Sequence, residues 1–387
     1  MKNKALILSI IFLLTAPLMP LTAQDKHGDG RVIQTAVPFL TIAPDSRAGA
    51  IGDAGVATSP DLYSMHWNPA KYAFIDGNGG FAMSYSPWLR ALVPDINLAL
   101  LAGYYRIDSK QVIAGSLMYS SLGEIQFTDD YGNYQSTHNP NEFSVDAAYS
   151  RLFSQHWSGG VALRFIYSNI TGGQYAGSTE TKAGIAFAAD ASAYYTTALK
   201  LGSKTGNISA GMNFSNIGSK MSYTSDEDPD FIPMNMRLGT TFMVDLDRYN
   251  SLGISFDINK LLVPTPPVYE DGEIVAGRDP NVSVPVAIFQ SFYDAPYGFG
   301  EEMHEFTESV GIEYWYNQQF ALRTGYFNEA QCKGNRKYFT AGAGFRLSVF
   351  SLDFSYLIPI TQNNPLARTL RFSLAFEFDS LRNVSKK

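Results

Sequence analysis

Five histidines and a single cysteine are the residues of this 387-residue chain best suited to nucleophilic or proton-transfer chemistry. Acyl hydrolysis asks for a nucleophile, a base within hydrogen-bond reach and an oxyanion site. His27 falls in the leader region, His66 in a short N-terminal motif, His138 in a loop, His156 in a turn and His304 at a loop edge. None sits in a strand-like run beside a serine, so no rigid Ser–His pair and no catalytic residue is expected. Cys332 reads as an isolated thiol near a loop, and one cysteine cannot form an internal disulfide. Asp226, Glu227, Asp228 and Asp230 crowd into one loop but lack the glycine and terminal Glu of a Ca²⁺ loop. They read as a solvated acidic loop that divalent ions could bridge to lipid phosphates. Gly298-Phe299-Gly300 does not follow a strand and open a helix as a phosphate-binding loop would. No cofactor and no resident metal is expected.

The elements that carry these residues alternate apolar and polar side chains. Leu252, Ile254, Phe256 and Ile258 interleave with Gly253, Ser255, Asp257 and Asn259; Leu370, Phe372, Leu374 and Phe376 interleave with Arg371, Ser373, Ala375 and Glu377. A strand sends successive side chains to opposite faces, so such runs need one apolar and one wet surrounding. Fourteen strands are expected, near 79–87, 94–107, 110–121, 142–153, 157–168, 183–198, 207–216, 234–245, 251–260, 305–316, 319–328, 337–346, 349–358 and 368–379. Tight turns at 108–109, 154–156, 247–250 and 317–318 alternate with loops of roughly 20, 14, 17 and 44 residues at 122–141, 169–182, 217–233 and 261–304. The 199–206 turn is longer than this pattern wants. A soluble sandwich has no reason to sort its loops by parity, whereas an outer-membrane barrel does. The fold class expected is therefore an all-β, transmembrane antiparallel barrel of about 14 strands.

On this reading Val161, Leu163, Phe165, Tyr167, Ile208, Met212, Phe214, Phe350, Leu352, Phe354 and Tyr356 face lipid. Arg164, Asn213, Ser215, Glu313, Arg323, Arg346, Asp353, Ser355, Arg371 and Glu377 face a wet lumen, where charge is tolerable. Tyr104, Trp157, Tyr194, Tyr316 and Tyr326 fall near strand ends, where an interfacial girdle would lie.

Lys2 and Lys4, the apolar stretch Ala5 to Leu14 and Leu21-Thr22-Ala23 read as a secretory signal, 1–23. Without those lysines the formal charge goes from −7 to −9, which argues against nucleic acid as a partner. Aromatics make up 14% and charged residues only 17%, with mean hydropathy −0.09, as expected where alternate residues alone meet lipid. Residues 24–78 precede the first strand without period-two alternation and are rich in Gly and Ala, which suits a plug folded inside the barrel of 79–379. Residues 380–387 form a short tail, and both termini are expected in the periplasm with the long loops outside the cell.

The N-terminal segment also carries a resemblance. Pro38-Phe39-Leu40, then Asp45-Ser46-Arg47-Ala48-Gly49-Ala50-Ile51-Gly52-Asp53-Ala54-Gly55-Val56-Ala57-Thr58, then Asp61, Ser64 and His66-Trp67-Asn68-Pro69-Ala70-Lys71-Tyr72 closely resemble the PorV family. That family comprises outer-membrane proteins of the type IX secretion system of Bacteroidetes. The small-residue run followed by Asn-Pro-Ala is similar, more broadly, to the hatch of FadL-like transport barrels. The resemblance implies binding of the C-terminal signal domains of exported cargo, association with the SprA/Sov translocon and delivery to an attachment complex that includes PorU. It leaves two alternatives: FadL-type uptake of hydrophobic small molecules, and a lipopolysaccharide-modifying, deacylase-linked barrel. Ser46, Arg47, Gly49, Gly52, Asp53, Gly55, His66, Trp67, Asn68, Pro69 and Lys71 are expected to hold the plug together, with Arg47 and Asp53 meeting lumenal charges or backbone groups. The Pro-rich loop 261–304 carries Val284, Ile288, Phe289, Phe292, Tyr293, Tyr297 and Phe299, an apolar content that suits a partner-binding surface or a cover over the barrel mouth.

Overall fold

In the computed structural model the described residues are 31–378, apart from 90–92, 94, 129–130, 174, 177–178, 225–228 and 361–363. The expected signal peptide, the tail 380–387, His27 and most of the acidic loop (Asp226, Glu227 and Asp228) lie outside them.

Fourteen antiparallel strands close into one barrel. They are β1 (Gly79–Pro87), β2 (Ile96–Arg106), β3 (Gln111–Leu122), β4 (Asn141–Leu152) and β5 (Trp157–Asn169). Next come β6 (Gly184–Leu201), β7 (Lys204–Gly218), β8 (Asn235–Asp245), β9 (Asn250–Leu261) and β10 (Phe306–Tyr316). The last are β11 (Phe320–Asn328), β12 (Lys337–Arg346), β13 (Phe350–Pro359) and β14 (Leu370–Glu377). β1 pairs with both β2 and β14, so no ladder is left open, which lipid demands because it cannot satisfy a free edge.

The turns at one end are short for identifiable local reasons. Asp108 Oδ1 accepts the amides of Lys110 and Gln111, and Asp247 Oδ1 those of Tyr249 and Asn250. Asn317 and Gln318 both take φ 52°, the left-handed pair that a two-residue hairpin turn uses. The over-long 199–206 turn proves to be a two-residue one: Leu201 pairs with Lys204 and Lys200 with Thr205, so β6 and β7 simply run further than the side-chain alternation suggests. At the other end the long loops fold small hairpins of their own at 125–128/134–138 and 268–270/273–276, and two short helices, Val284–Gln290 and Phe299–Met303. Gly298-Phe299 thus does open a helix, contrary to expectation, although no strand feeds it.

Outward faces are predominantly apolar. Leu163 is 70% exposed beside buried Arg164, and Leu352, Phe354 and Phe372 are exposed where Asp353, Ser355, Arg371 and Ser373 are buried inside. β2 departs from this pattern, because its inner face (Leu98, Leu100, Ala102, Tyr104) is apolar too. Those residues join Phe39, Leu40, Leu62, Tyr63, Met65 and Tyr72 of the N-terminal segment in the main hydrophobic cluster. Two of the expected girdle aromatics, Tyr104 on β2 and Tyr194 on β6, point inward rather than to lipid. Tyr104 stacks on Tyr72 inside the barrel, and buried Tyr194 donates to Ser209 Oγ at 3.1 Å. Trp157 and Tyr316 do face outward, each about half exposed.

Arg31 lies at the long-loop end, ion-paired with Glu301 at 3.2 Å and set over the Tyr297 ring at 4.2 Å. The chain descends from there through the lumen and reaches the short-turn end only at Asp76 and Gly77, whose carbonyls accept from Tyr104 and Arg106. The described part of the plug thus runs from the long-loop side to the short-turn side before β1 begins, while the N-terminus itself lies outside the described residues.

Candidate functional site

The plug is built from turns rather than from extended helices. Residues Ser46–Ala50 and Ser64–Trp67 are single helical turns, and Pro69–Phe74 is a 3₁₀ segment. Asp45 caps the first of these by accepting the Ala48 amide at 2.9 Å, and its other oxygen takes the Trp67 indole N–H at 2.6 Å. Asn68 caps the 3₁₀ segment through the Ala70 amide, and its Nδ2 donates to the Val56 and Ala193 carbonyls, tying plug to wall. Pro69 at the first position suits a helical start, since its missing N–H would be unpaired there anyway. The Pro69 carbonyl accepts from Ser150 on β4.

Small residues let backbones touch. Gly52 has φ +75° and lies against the Tyr326 backbone, where any side chain would collide. Gly55 accommodates the Trp67 ring, and Gly49 leaves room for the Arg371 guanidinium. Ser46 exchanges hydrogen bonds with Ser373 on β14.

Charge locks the plug to the wall. Arg47 gives two bonds to Glu313 (3.0 and 3.1 Å), one to Asp61 (3.0 Å) and two to Ser59. Glu313 also accepts from Arg323, which reaches Asp353 at 2.6 Å. Asp257 on β9 takes the amides of Gly55 and Val56 at 2.7 and 2.9 Å. Lys71, 1% exposed, donates to the Gly55 carbonyl and Thr58 hydroxyl. Asp53 accepts from Tyr338 at 2.6 Å, with Arg371 at 3.6 Å. Arg237 donates to the His66 carbonyl and sits over the Trp67 ring at 4.9 Å. Burial, with Arg237 and Arg164 nearby, holds His66 well below its ordinary pKa, so the imidazole stays neutral. The structure thus brings the plug residues together with Glu313, Arg323, Asp257, Asn213 and Arg237 of the wall.

The histidines do not converge. His138 faces the Asn169 carbonyl and His156 the Thr196 carbonyl. Among the described residues no imidazole is hydrogen-bonded to a serine hydroxyl. Cys332 is not isolated as expected: its Sγ lies 3.5 Å from His304 Nδ1, because the loop before β10 folds back onto the β11–β12 connection.

The second candidate surface is the loop between β9 and β10. One side packs down: Ala287 belongs to the main cluster, and Val282, Val284 and Ile288 lie against it. The other side is open. Phe289 is 71% and Phe299 79% exposed, with Phe292, Tyr293 and Tyr297 also exposed. The loop therefore both covers the mouth and presents aromatics, which sequence reasoning had set as alternatives. Its anchor is a buried ionic bed that the sequence reading missed. Lys260 bonds Glu302 and Glu305 at 2.8 and 2.6 Å, and Lys333 bonds Glu301 and Glu305 at 2.9 and 3.0 Å. The signals were a lysine in the apolar phase of a strand, following Leu252, Ile254, Phe256 and Ile258, and the Glu301-Glu302…Glu305 spacing of adjacent helical turns. Between the plug and the ends of the wall strands lies a cavity of about 500 Å³, lined by Ile33, Ile42, Trp88 and Phe327 as well as Arg237, Lys260 and Arg336.

No curated protein matches the sequence. Among solved structures, a deletion mutant of the monoaromatic hydrocarbon channel TodX is similar at 11% identity, covering 86% of this chain and 97% of its own, with TM-score 0.48. A Pseudomonas aeruginosa FadL homologue (11% identity, 90% of this chain and 100% of its own, TM-score 0.42) and the Ralstonia pickettii toluene transporter TbuX (9%, 87% and 96%, 0.42) are similar as well. With scores below 0.5 these neighbours add nothing to the barrel's own hydrogen-bond ladder. The family model "Type IX secretion system protein PorV" matches residues 24–268, the span that holds the plug and the first nine strands. With its plug motif set in a closed fourteen-stranded barrel, the chain belongs to the PorV family of type IX secretion system outer-membrane proteins.

Proposed function

We propose that this barrel carries secreted proteins by their C-terminal signal domains on its outer rim. It receives them at the SprA/Sov translocon and hands them to an attachment complex containing proteins such as PorU, with its wall in outer-membrane lipid and lipopolysaccharide. The long loops then face the cell exterior. The observation that carries this reading is the aromatic face of the 261–305 loop, exposed at Phe289, Tyr293, Tyr297 and Phe299 above a buried ionic bed. Exposed aromatics on a rigid base give contact area at small entropic cost, the composition of an interface centre. The lumen supports the same reading: Arg47, Asp257 and Asn68 bind the plug across it, so cargo travels on the barrel rather than through it.

Deleting the whole loop would also strip Ala287 and Ile288 from the core, so point changes test the surface better. Phe289→Ser with Phe299→Ser should leave a heat-modifiable, folded barrel and weaken capture of a cargo signal domain at least tenfold. Undiminished capture would refute the assignment. The cavity of about 500 Å³ favours a second reading, uptake of a hydrophobic small molecule. That reading predicts saturable binding of a fatty acid, lost when Trp88→Ala and Phe327→Ala remove the apolar wall.

A further inference from the structure

The ionic bed beneath the aromatic loop does not balance. One carboxylate oxygen each from Asp294, Glu302 and Glu305 lies within 4.8 Å of the others, and the three residues are only 1%, 4% and 6% exposed. With Glu301 these make four buried acids, and the cations bonded to them are three: Arg31, Lys260 and Lys333. Lys260 is shared by Glu302 and Glu305, Lys333 by Glu301 and Glu305, and Arg31 serves Glu301. Asp294 is the acid left over. Its Oδ2 accepts the Thr265 amide at 3.0 Å, but its Oδ1 has no donor although the residue is buried. A buried carboxylate packed beside two more carboxylates is costly unless a cation or a proton joins it. Burial and the fields of Glu305 and Glu302 push Asp294 up to about 6.

We infer that Asp294, Glu302 and Glu305 form a divalent-cation site, best matched by Ca²⁺. All three donors are hard oxygens, and they come from a loop and a short helix rather than from a rigid octahedral cage. Such irregular oxygen sets suit Ca²⁺ better than Mg²⁺, which holds its waters and demands a tighter geometry. Lys260 holds one oxygen of Glu302 and one of Glu305, and Lys333 the other oxygen of Glu305, so the ion competes with two ammonium groups for two of its three ligands. Binding therefore falls in the weak class of extracellular Ca²⁺ modules, with a dissociation constant of about 10⁻⁴–10⁻³ M. Occupancy would tie residue 294 to the Phe299–Met303 helix, which opens on Phe299, and fix the segment between them, which carries Tyr297.

The test uses the full-length protein, purified in neutral detergent and stripped of lipopolysaccharide, titrated with Ca²⁺ alone at pH 7.5 by calorimetry. One saturable site is expected. Asp294→Asn and, separately, Glu302→Gln should each weaken it at least tenfold, while Asp247→Asn, at a turn on the opposite end, should leave it unchanged. Retained heat-modifiable mobility identifies variants whose barrel is folded. The proposal is overturned if the unaltered protein takes up no Ca²⁺ below about 10 mM, an order above that class. It is equally overturned if both variants bind as the unaltered protein does, or if Asp247→Asn weakens binding as much as they do.

Discussion

Replacing Arg47 with methionine should unseat the plug, and the structure sets the size of the effect. The guanidinium satisfies Glu313 twice and Asp61 once, and fills the Ser59 carbonyl and hydroxyl. It is 4% exposed, so water cannot take its place without the plug moving. Methionine keeps most of the volume and removes the charge. Glu313 then retains only Arg323 as a cation, and Asp61 keeps Ser64 and the Tyr63 amide. Removing one partner of a buried ion pair costs about 3–5 kcal/mol, since the other charge is left desolvated and unpaired. If seating is a single two-state step, the open-to-seated ratio rises about 10²- to 10⁴-fold, at about 1.4 kcal/mol per decade. Planar-bilayer conductance of the purified barrel reads this directly, as the fraction of time spent in an open level. Glu313→Gln in the Arg47→Met background should recover part of the loss, because it removes the stranded charge, and a double-mutant cycle gives the coupling. Should Arg47→Met conduct no more than the unaltered protein, with its plug equally resistant to protease, the ionic lock is not what seats the plug.

Further outcomes follow from the same contacts. Asp257→Ala strands the Gly55 and Val56 amides at about 1–3 kcal/mol each, whereas Asp257→Asn keeps an acceptor; conductance should rise clearly more in the first than in the second. Gly325→Val puts a side chain into the Ile51 backbone, which has no flexible end to yield, so the variant should either fail to seat its plug or lose thermal stability. Asp294 is raised from 3.8 to about 6, so between those values the folded form binds more protons than the unfolded one and stability falls as pH rises. Asp294→Asn should accordingly raise the melting temperature in Ca²⁺-free buffer at pH 7.5 and change it little at pH 4; an equal change at both would refute the unbalanced bed.

Much of the barrel could be read from side-chain order. Lipid outside and a wet lumen inside force a strict period of two, and Leu370 to Glu377 or Leu252 to Asn259 have no other use for it. Loop parity then set the connectivity, because tight turns such as Asp247 to Asn250 carry their own hydrogen-bonding chemistry. Alternation fails at β2, where the plug makes the inner side as dry as the outer and Tyr104 turns inward, while Tyr194 on β6 turns inward to a hydroxyl partner, Ser209.

The sequence by itself therefore determined the strands, their faces and the plug motif, since each depends on neighbours within a few residues. Only the tertiary structure decided which wall residues meet that motif. Arg47 and Glu313 are 266 positions apart, and Gly52 and Thr340 are 288. It also decided that the N-terminal segment enters beside Glu301 at the long-loop mouth, and that four acids and three bases collect under one aromatic loop. Such pairings are set by the closure of the barrel around its plug, and no local pattern of residue types encodes the distance between chain segments that closure brings together.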